Sequence, residues 1–484
     1  MIALLAAIAV LTLRWPFREA AIRDALQQRF QGQVKFSGFQ ETYWPRPGCI
    51  ATNLDIRRPE DDQPVVHAQR ISIQGSYFDF LKWPRRVALL EADGLRVHLD
   101  KPKPGNGPAQ KAHKLIIEEF RTNNAVLETH FGGEPVSFHV HQLRVDGFGG
   151  DRPASFDVEL TNPQPKAEIA AQGKFGPIAP DAEHTHVEGD YSITHVDLSK
   201  FEGISGTASA KGHFDGIVAA IRTHGDARAD RFEVGHTSHA VDLVTHYDVT
   251  VNGTSGDVVV NEAATQLRRT TLHSHGTVAG SPDKAVKMEF EARGGRIEDL
   301  LYLFVKSEPA MQGNLDLNAR AELPPGKEKF IRRVRLDGVF GIDPSQFTKS
   351  STQGKVDELS ARARGDKQEM EDPERVVSDL RGHARLRDGV AELSEVSFSV
   401  PGATARGGGT YSLITHDIDM QGLVRMQADI SEATKGIKSV LLKPLAPIFR
   451  HRHAGAVLPV KMTGRYPNPQ ITIGPKPKMK HDHS

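Results

Sequence analysis

Over most of its length this chain alternates apolar and polar residues one by one. Phe156-Asp157-Val158-Glu159-Leu160 shows the pattern, which returns at 71–74, 95–99, 138–140, 247–251, 288–290, 315–319, 396–400 and 460–462. Successive side chains of a strand point to opposite faces, so this period demands strands with one apolar and one polar face. Gly, Asn, Asp and Pro separate the runs as turn signals. Continuous apolar runs, the mark of a parallel sheet buried on both sides, are few. The expected fold is mainly β: a long twisted antiparallel sheet with a few short helices.

A second, irregular pattern overlies the first. A Gly is followed two residues later by an aromatic or β-branched residue at Gly173/Phe175, Gly212/Phe214, Gly276/Val278, Gly338/Phe340, Gly409/Tyr411 and Gly464/Tyr466. The spacing is too uneven for a propeller or a fixed-period solenoid. It suits successive meandering strands with insertions of variable length. Gly407-Gly408-Gly409 between strands reads as a bulge or turn.

Helical periodicity is confined to short stretches. Phe17, Ala21, Ala25 and Phe30, with Ile22 and Leu26 beside them, make an apolar stripe over 17–30. Such a helix would lie at a membrane interface or cap the first strands. Further helices are expected over 296–305, over 356–364 with a charged loop at 366–374 after it, and over 431–449, where Ser431 is a cap and Pro444 a break. The Pro- and Gly-rich stretch 101–111 reads as a linker.

The N-terminal run IALLAAIAVLTL contains only Thr12 as a polar residue. Ile2, Leu4, Leu5, Ile8, Val10, Leu11 and Leu13 are its anchoring side chains. A bilayer span needs about 20 such residues, and a secretory signal would carry a basic n-region and a cleavage site. Arg14 and Arg18 lie on its C-terminal side, which the positive-inside rule would hold in the cytoplasm, although long domains translocate largely regardless of charge. The run reads as the second half of a membrane anchor or as a buried core helix. The segments expected are 1–30 for anchor and amphipathic helix, 31–105 for an N-terminal β region, 106–112 for a linker, 113–325 for a central β-groove region, 326–474 for a C-terminal β region and 475–484 for a basic tail.

Composition narrows the chemistry. Lys and Arg total 61 against 61 for Asp and Glu, which argues against a globally basic surface that wraps nucleic acid. One cysteine, Cys49, rules out an intrachain disulfide framework and a Cys-based zinc site. The 22 histidines form no HExxH. The pairs His184/His186 and His273/His275 put two imidazoles on one strand face, and His451/His453 and His481/His483 are similar, yet a catalytic zinc commonly takes three protein ligands. Phosphate-loop, dinucleotide and GxSxG signatures are missing. Glu118-Glu119 and Asp61-Asp62 read as ordinary loop or edge carboxylates. No cofactor, metal or catalytic residue is expected.

Two sets of residues carry a family pattern. At the C-terminal end they are 438–444, 455–460, Thr463-Gly464 and Asn468-Pro469, preceded by 402–413, 338–340 and 357–360; at the N-terminal end they are Tyr43-Trp44-Pro45-Arg46-Pro47-Gly48 followed by Leu54-Asp55-Ile56. With these, both ends of the chain resemble AsmA-like proteins of the bacterial envelope. The resemblance implies an inner-membrane anchor with the bulk of the chain in the periplasm. It also implies a sheet curled into a taco-like groove; larger members of the family are regarded as lipid conduits. On that reading the partners are phospholipid or another envelope lipid, the inner membrane and envelope assembly proteins, with no nucleic acid. Residues expected to face the lipid are Phe156, Val158, Leu160, Phe290, Leu315, Leu317, Val396 and Phe398. The same alternation would equally build a packed sandwich core, and the sheet would equally serve as a docking surface for protein. A hydrolase ranks last, because no nucleophile and base can be assembled.

Overall fold

The computed structural model describes residues 16–30, 32–58, 64–78, 85–99, 115–131, 134–163, 165–179, 181–201, 203–235, 239–280, 285–304, 308–364, 375–427, 457–465 and 470–473. The fold is mainly β, with 67% of the described residues in strands and 12% in helices, and the strands form a mixed sheet. The chain divides into two compact units, one of residues 1–200, 207–227 and 248–257, the other of 201–206, 228–247 and 258–484.

In the first unit, helix α1 (Glu19–Phe30) precedes β1 (Gln33–Lys35), β2 (Gly38–Thr42), β3 (Gly48–Arg57), β4 (Val66–Gln74), β5 (Arg85–Val87), β6 (Leu89–Asp93) and β7 (Arg96–Leu99). Then come the long strands β8 (Leu115–Phe131), β9 (Glu134–Phe148), β10 (Ala154–Pro163), β11 (Lys166–Phe175), β12 (His186–Asp197) and β13 (Ile204–Ile217). From β8 to β13 each strand pairs antiparallel with the next. The expected purely antiparallel sheet needs one correction: β5, β6 and β7 run parallel to β8. Alternation reports one-sided burial and is blind to strand direction.

Helix α1 lies on the first strands. Leu26 and Phe30 pack against Val34, Leu54 and Ile56, while Ile22 meets Phe17 and Cys49. These side chains sit at i, i+4 and i+8, so one stripe covers the β1–β3–β4 surface. Burying Leu54 and Ile56 stabilises the unit by about 1.5–3 kcal/mol each. Of the two roles open to the 17–30 helix, capping the first strands is the one observed.

β14 (Ala220–Val234) and β15 (Val241–Val251) follow. The second unit then runs through β16 (Val258–Leu267), β17 (Thr270–Val278), β18 (Val286–Arg296), helix α2 (Ile297–Tyr302), β19 (Met311–Leu323), the one-turn α3 (Phe330–Arg333), β20 (Arg335–Phe347) and helix α4 (Ser350–Arg364). It closes with β21 (Ser378–Arg387), β22 (Val390–Val400), β23 (Ala403–Ser412), β24 (Asp417–Met426), β25 (Val457–Arg465) and β26 (Gln470–Ile473). From β16 to β26 it is an unbroken antiparallel meander. Helix α4 begins at Ser350, a turn and a half before the expected 356, because Thr352 and Gly354 are weak helix formers that hide its start. The expected helix 431–449, the linker 101–111, the loop 366–374 and the basic tail lie outside the described residues.

Candidate functional site: the apolar face of the sheet

Cross-strand partners share a face, so the pairing registers show what each face carries. In the first unit one row runs Phe120, Val145, Phe156, Gly173, Gly189, Phe214 across β8 to β13. The next row is Thr122, Leu143, Val158, Ala171, Tyr191, Gly212, and the next Ala125, Val140, Leu160, Ile169, Ile193, Ala210. The aromatic rings tile this surface. Phe148–Phe175, Phe175–Phe156, Phe156–Phe214 and Phe214–Tyr191 have centroids 6.2, 6.1, 6.5 and 6.2 Å apart. Glycine makes room for them. A Cβ on Gly189 would stand 2.2 Å from the Gln172 carbonyl and 2.9 Å from the Phe214 ring. At the patterned positions the crowding is mainly backbone: a Cβ on Gly173 would stand 2.0 Å from the Glu188 carbonyl, and one on Gly212 would stand 2.4 Å from the His224 carbonyl and 3.0 Å from the Tyr191 hydroxyl.

The opposite face of these strands is a ladder of charge. Arg144 reaches Glu119 at 3.0 Å, Lys174 reaches Glu188 at 3.7 Å, His213 reaches Asp190 at 3.0 Å and His186 reaches Asp215 at 3.1 Å. Glu118 and Glu119, expected at a loop or edge, stand inside β8, paired with Arg86 and with Arg121 and Arg144. Asp61 and Asp62 lie outside the described residues.

The second unit repeats the design. One row is Phe290, Ala319, Gly338, Ala384, Leu393, Gly409, Met420, Met462. A second is Leu315, Ile342, Leu380, Phe398, Ala405, Val424, Leu458. Between them Phe340 and Val396 converge over Gly382, where a Cβ would meet them at 3.0 and 3.2 Å. On the polar face Glu289 takes Arg320 at 2.9 Å and His275 at 3.4 Å, and Lys461 meets Asp419 at 3.4 Å. Asp337 accepts from His383 at 2.7 Å and Arg385 at 2.9 Å, and these hydrogen bonds hold its carboxyl below the usual range.

The two rows of the second unit have different surroundings. Helix α2 covers the start of one: Leu315, 2% exposed, packs with Ile297, Met311 and Ile342, with Leu317 and Phe340 against them. Helix α4 covers another part, where Ala363, Val400, Ala403, Met426 and Leu458 are buried and Phe398 and Val424 pack on them. In the other row Phe290, Leu393, Met420 and Met462 are half-buried and Ala319 is buried, and none of these belongs to a buried cluster. Among the described residues every such cluster combines a patch of the sheet with at most the helix or connecting segment lying on it, and none includes a second, facing sheet.

The eight residues expected to face lipid therefore fall into two environments. Phe156, Val158, Leu160, Phe290 and Val396 are half-buried on the apolar faces; Leu315, Leu317 and Phe398 lie at the helix-covered clusters. The anchoring residues Ile2, Leu4, Leu5, Ile8, Val10, Leu11 and Leu13 lie outside the described residues. No described helix is long and apolar enough to cross a membrane. Beyond the expected set, Leu143 and Ile193 lie on the apolar rows of the first unit, and Leu393 and Met420 on those of the second. The signal was there for Met420, in the alternation Asp417-Ile418-Asp419-Met420.

Groups with catalytic or metal-binding chemistry are dispersed. His184 sits in a 3-10 turn beside Asp181 and His186 begins β12, so they do not share a strand face as expected. His273 and His275 do share one, each facing a glutamate, Glu262 at 3.9 Å and Glu289 at 3.4 Å. His451, His453, His481 and His483 lie outside the described residues. His186, Glu188 and Asp215 bring three donor atoms within 4.8 Å of one another at the surface. Beside them His213, Asp215, Arg222, His224 and Asp248 line an open depression, in which Arg222 donates to both Asp248 oxygens. Cys49 is buried, and that burial pushes its thiol up to about 12, which keeps it protonated and poorly nucleophilic. Comparison with known proteins finds no matching protein-family model, curated protein or solved structure.

Proposed function

We propose that this chain handles lipid, holding acyl chains against the apolar face of its sheet. The observation that carries the proposal is the half-buried apolar rows with no facing layer among the described residues. An apolar sheet face must be covered by something, and a tiled aromatic and aliphatic surface suits hydrocarbon. The ladder of ion pairs on the other face suits water. The AsmA-like resemblance points the same way. On this reading the sheet curls into a groove, the run Ile2–Leu13 holds the chain at the inner membrane, and the bulk of it works in the periplasm in support of outer-membrane assembly.

The test is to purify the full chain gently from a bacterial host, extract it and weigh the lipids by mass spectrometry. Phospholipid close to one or a few molecules per chain is the expected result. A folded, lipid-free chain would overturn the proposal and turn attention to the sheet as a protein-docking surface.

A further inference from the structure

Among the described residues the two most exposed large apolar side chains stand on two linked turns at one tip of the first unit. Trp44 is 86% and Phe78 81% exposed, against 57% for the next, Phe304. Trp44 and Tyr43 stand on the β2–β3 turn, Tyr77 and Phe78 on the segment leaving β4, and all four are exposed. The turns are tied together: the Tyr77 hydroxyl donates to the Tyr43 carbonyl, and the Gly75 amide donates to the Pro47 carbonyl at 2.7 Å. Tyr43 in turn donates to Glu41 at 2.6 Å. This is a braced platform whose aromatic rings face solvent.

A second observation identifies what it meets. Phe17, only 4% exposed, is wedged against Cys49 and Gly75, where an added Cβ would stand 2.7 Å from its ring. The chain that follows the apolar run Ile2–Leu13 is thus pinned at the foot of the same tip. Arg18 and Arg46 are exposed beside it. Trp and Tyr rings flanked by arginine are the chemistry of the headgroup boundary, where an amphipathic ring keeps one end apolar and the other wet.

We infer that Tyr43, Trp44, Tyr77 and Phe78 seat this tip in the headgroup boundary of a phospholipid bilayer. The tip is a second membrane contact, independent of the apolar run, and it presents the first unit to the bilayer in one orientation. It deepens the lipid-handling reading and rests on it only in needing a membrane.

The experiment uses the full chain with Trp15→Phe and Trp83→Phe, which leaves Trp44 as the sole tryptophan. The chain is mixed with vesicles of phosphatidylcholine and phosphatidylglycerol at three to one, some carrying bromine high on the acyl chain. Expected are a blue shift of Trp44 emission, quenching by the shallow bromines, and flotation with the vesicles. Replacing Phe78 by Ser, with Trp44 kept as the reporter, should weaken the blue shift and the quenching several-fold even while the apolar run keeps the chain on the vesicle, and unchanged quenching overturns the inference. The Phe78 side chain is exposed, so the fold should survive, and circular dichroism checks it. A chain that floats while Trp44 stays unshifted and unquenched overturns the inference, and so does a chain that fails to float. Lipid carried by the vesicle-free protein is measured separately: bound lipid with an unquenched Trp44 sinks the tip alone, and a quenched Trp44 on a lipid-free chain sinks lipid handling alone.

Discussion

Whether the apolar face is open can be decided by one substitution in each unit, Val158→Asp and Met420→Asp. Val158 is half-buried between Leu143 and Ala171 on the neighbouring strands, and Met420 between Gly409 and Met462. On an open face the carboxylate stays hydrated. The loss is then strand propensity, up to about 1 kcal/mol, plus roughly half of the 1.5–3 kcal/mol that full burial of such a side chain supplies. About 2 kcal/mol is the expected total. Under a facing layer the same carboxylate would be stripped of water at a further cost of several kcal/mol. Leu315→Ala, beneath α2, calibrates the scale at about 3–4 kcal/mol. Urea unfolding followed by circular dichroism reads all three, and lipid extraction from the same preparations reads function. Both Asp variants should fold with several-fold less lipid, while Leu315→Ala should lose stability with lipid content unchanged in its folded fraction. Losses of about 5 kcal/mol or more, or insoluble chains, for both Asp variants would refute the open face.

Three further outcomes follow from particular contacts. Cys49, with its thiol pushed up to about 12, should ignore a disulfide reagent at pH 8 in the native chain and react fully in denaturant; rapid native labelling would show the α1–β3 contact to be open. Gly189→Val should destabilise the first unit by about 3 kcal/mol, because its side chain would collide with the Gln172 carbonyl and the Phe214 ring, and thermal unfolding measures it. Asp337 has its carboxyl lowered by the hydrogen bonds from His383 and Arg385, so its contribution is present above the ordinary carboxylate range and lost as pH falls through the lowered value. A stability gap between the native chain and Asp337→Asn should therefore exist at pH 7 and close in acid; a gap that persists unchanged below pH 3 would refute the assignment.

Much of this architecture is legible in the sequence, and the reason is local. Alternation such as Phe156-Asp157-Val158 is imposed by the pleat itself, so β10, β18, β19 and β22 are visible without knowledge of their partners. What depends on partners is hidden. Nothing in 85–99 announces that these short strands run parallel to β8. Leu315 and Phe290 occupy the same phase of adjacent strands, yet one lies under a helix and the other in a half-buried row, because the difference is made by α2, not by either residue. The Gly-x-aromatic pattern does not include Gly189 or Gly382, whose need to be glycine appears only when the strand registers bring the Phe214 ring over one and Phe340 and Val396 over the other. The aromatic tip was likewise legible only as a family-like string, Tyr43 to Gly48; its partner turn, 75–78, lies more than thirty residues away.

A sheet of this kind has an unusual source of stability. Its polar face contributes mostly surface ion pairs, worth at most about 1 kcal/mol each. Among the described residues its fully buried clusters lie in patches beneath α1, α2, α4 and the segment after α2. The remaining apolar rows supply strand pairing but leave part of their hydrocarbon surface uncovered. If acyl chains complete that surface, the ligand is part of the core, and loading must raise stability by RT ln(1 + [L]/Kd). Lipid handling and folding are then one equilibrium. Delipidation should lower the unfolding midpoint of the native chain, and it should lower that of Val158→Asp and Met420→Asp much less, since those variants have already lost the surface on which the lipid lies.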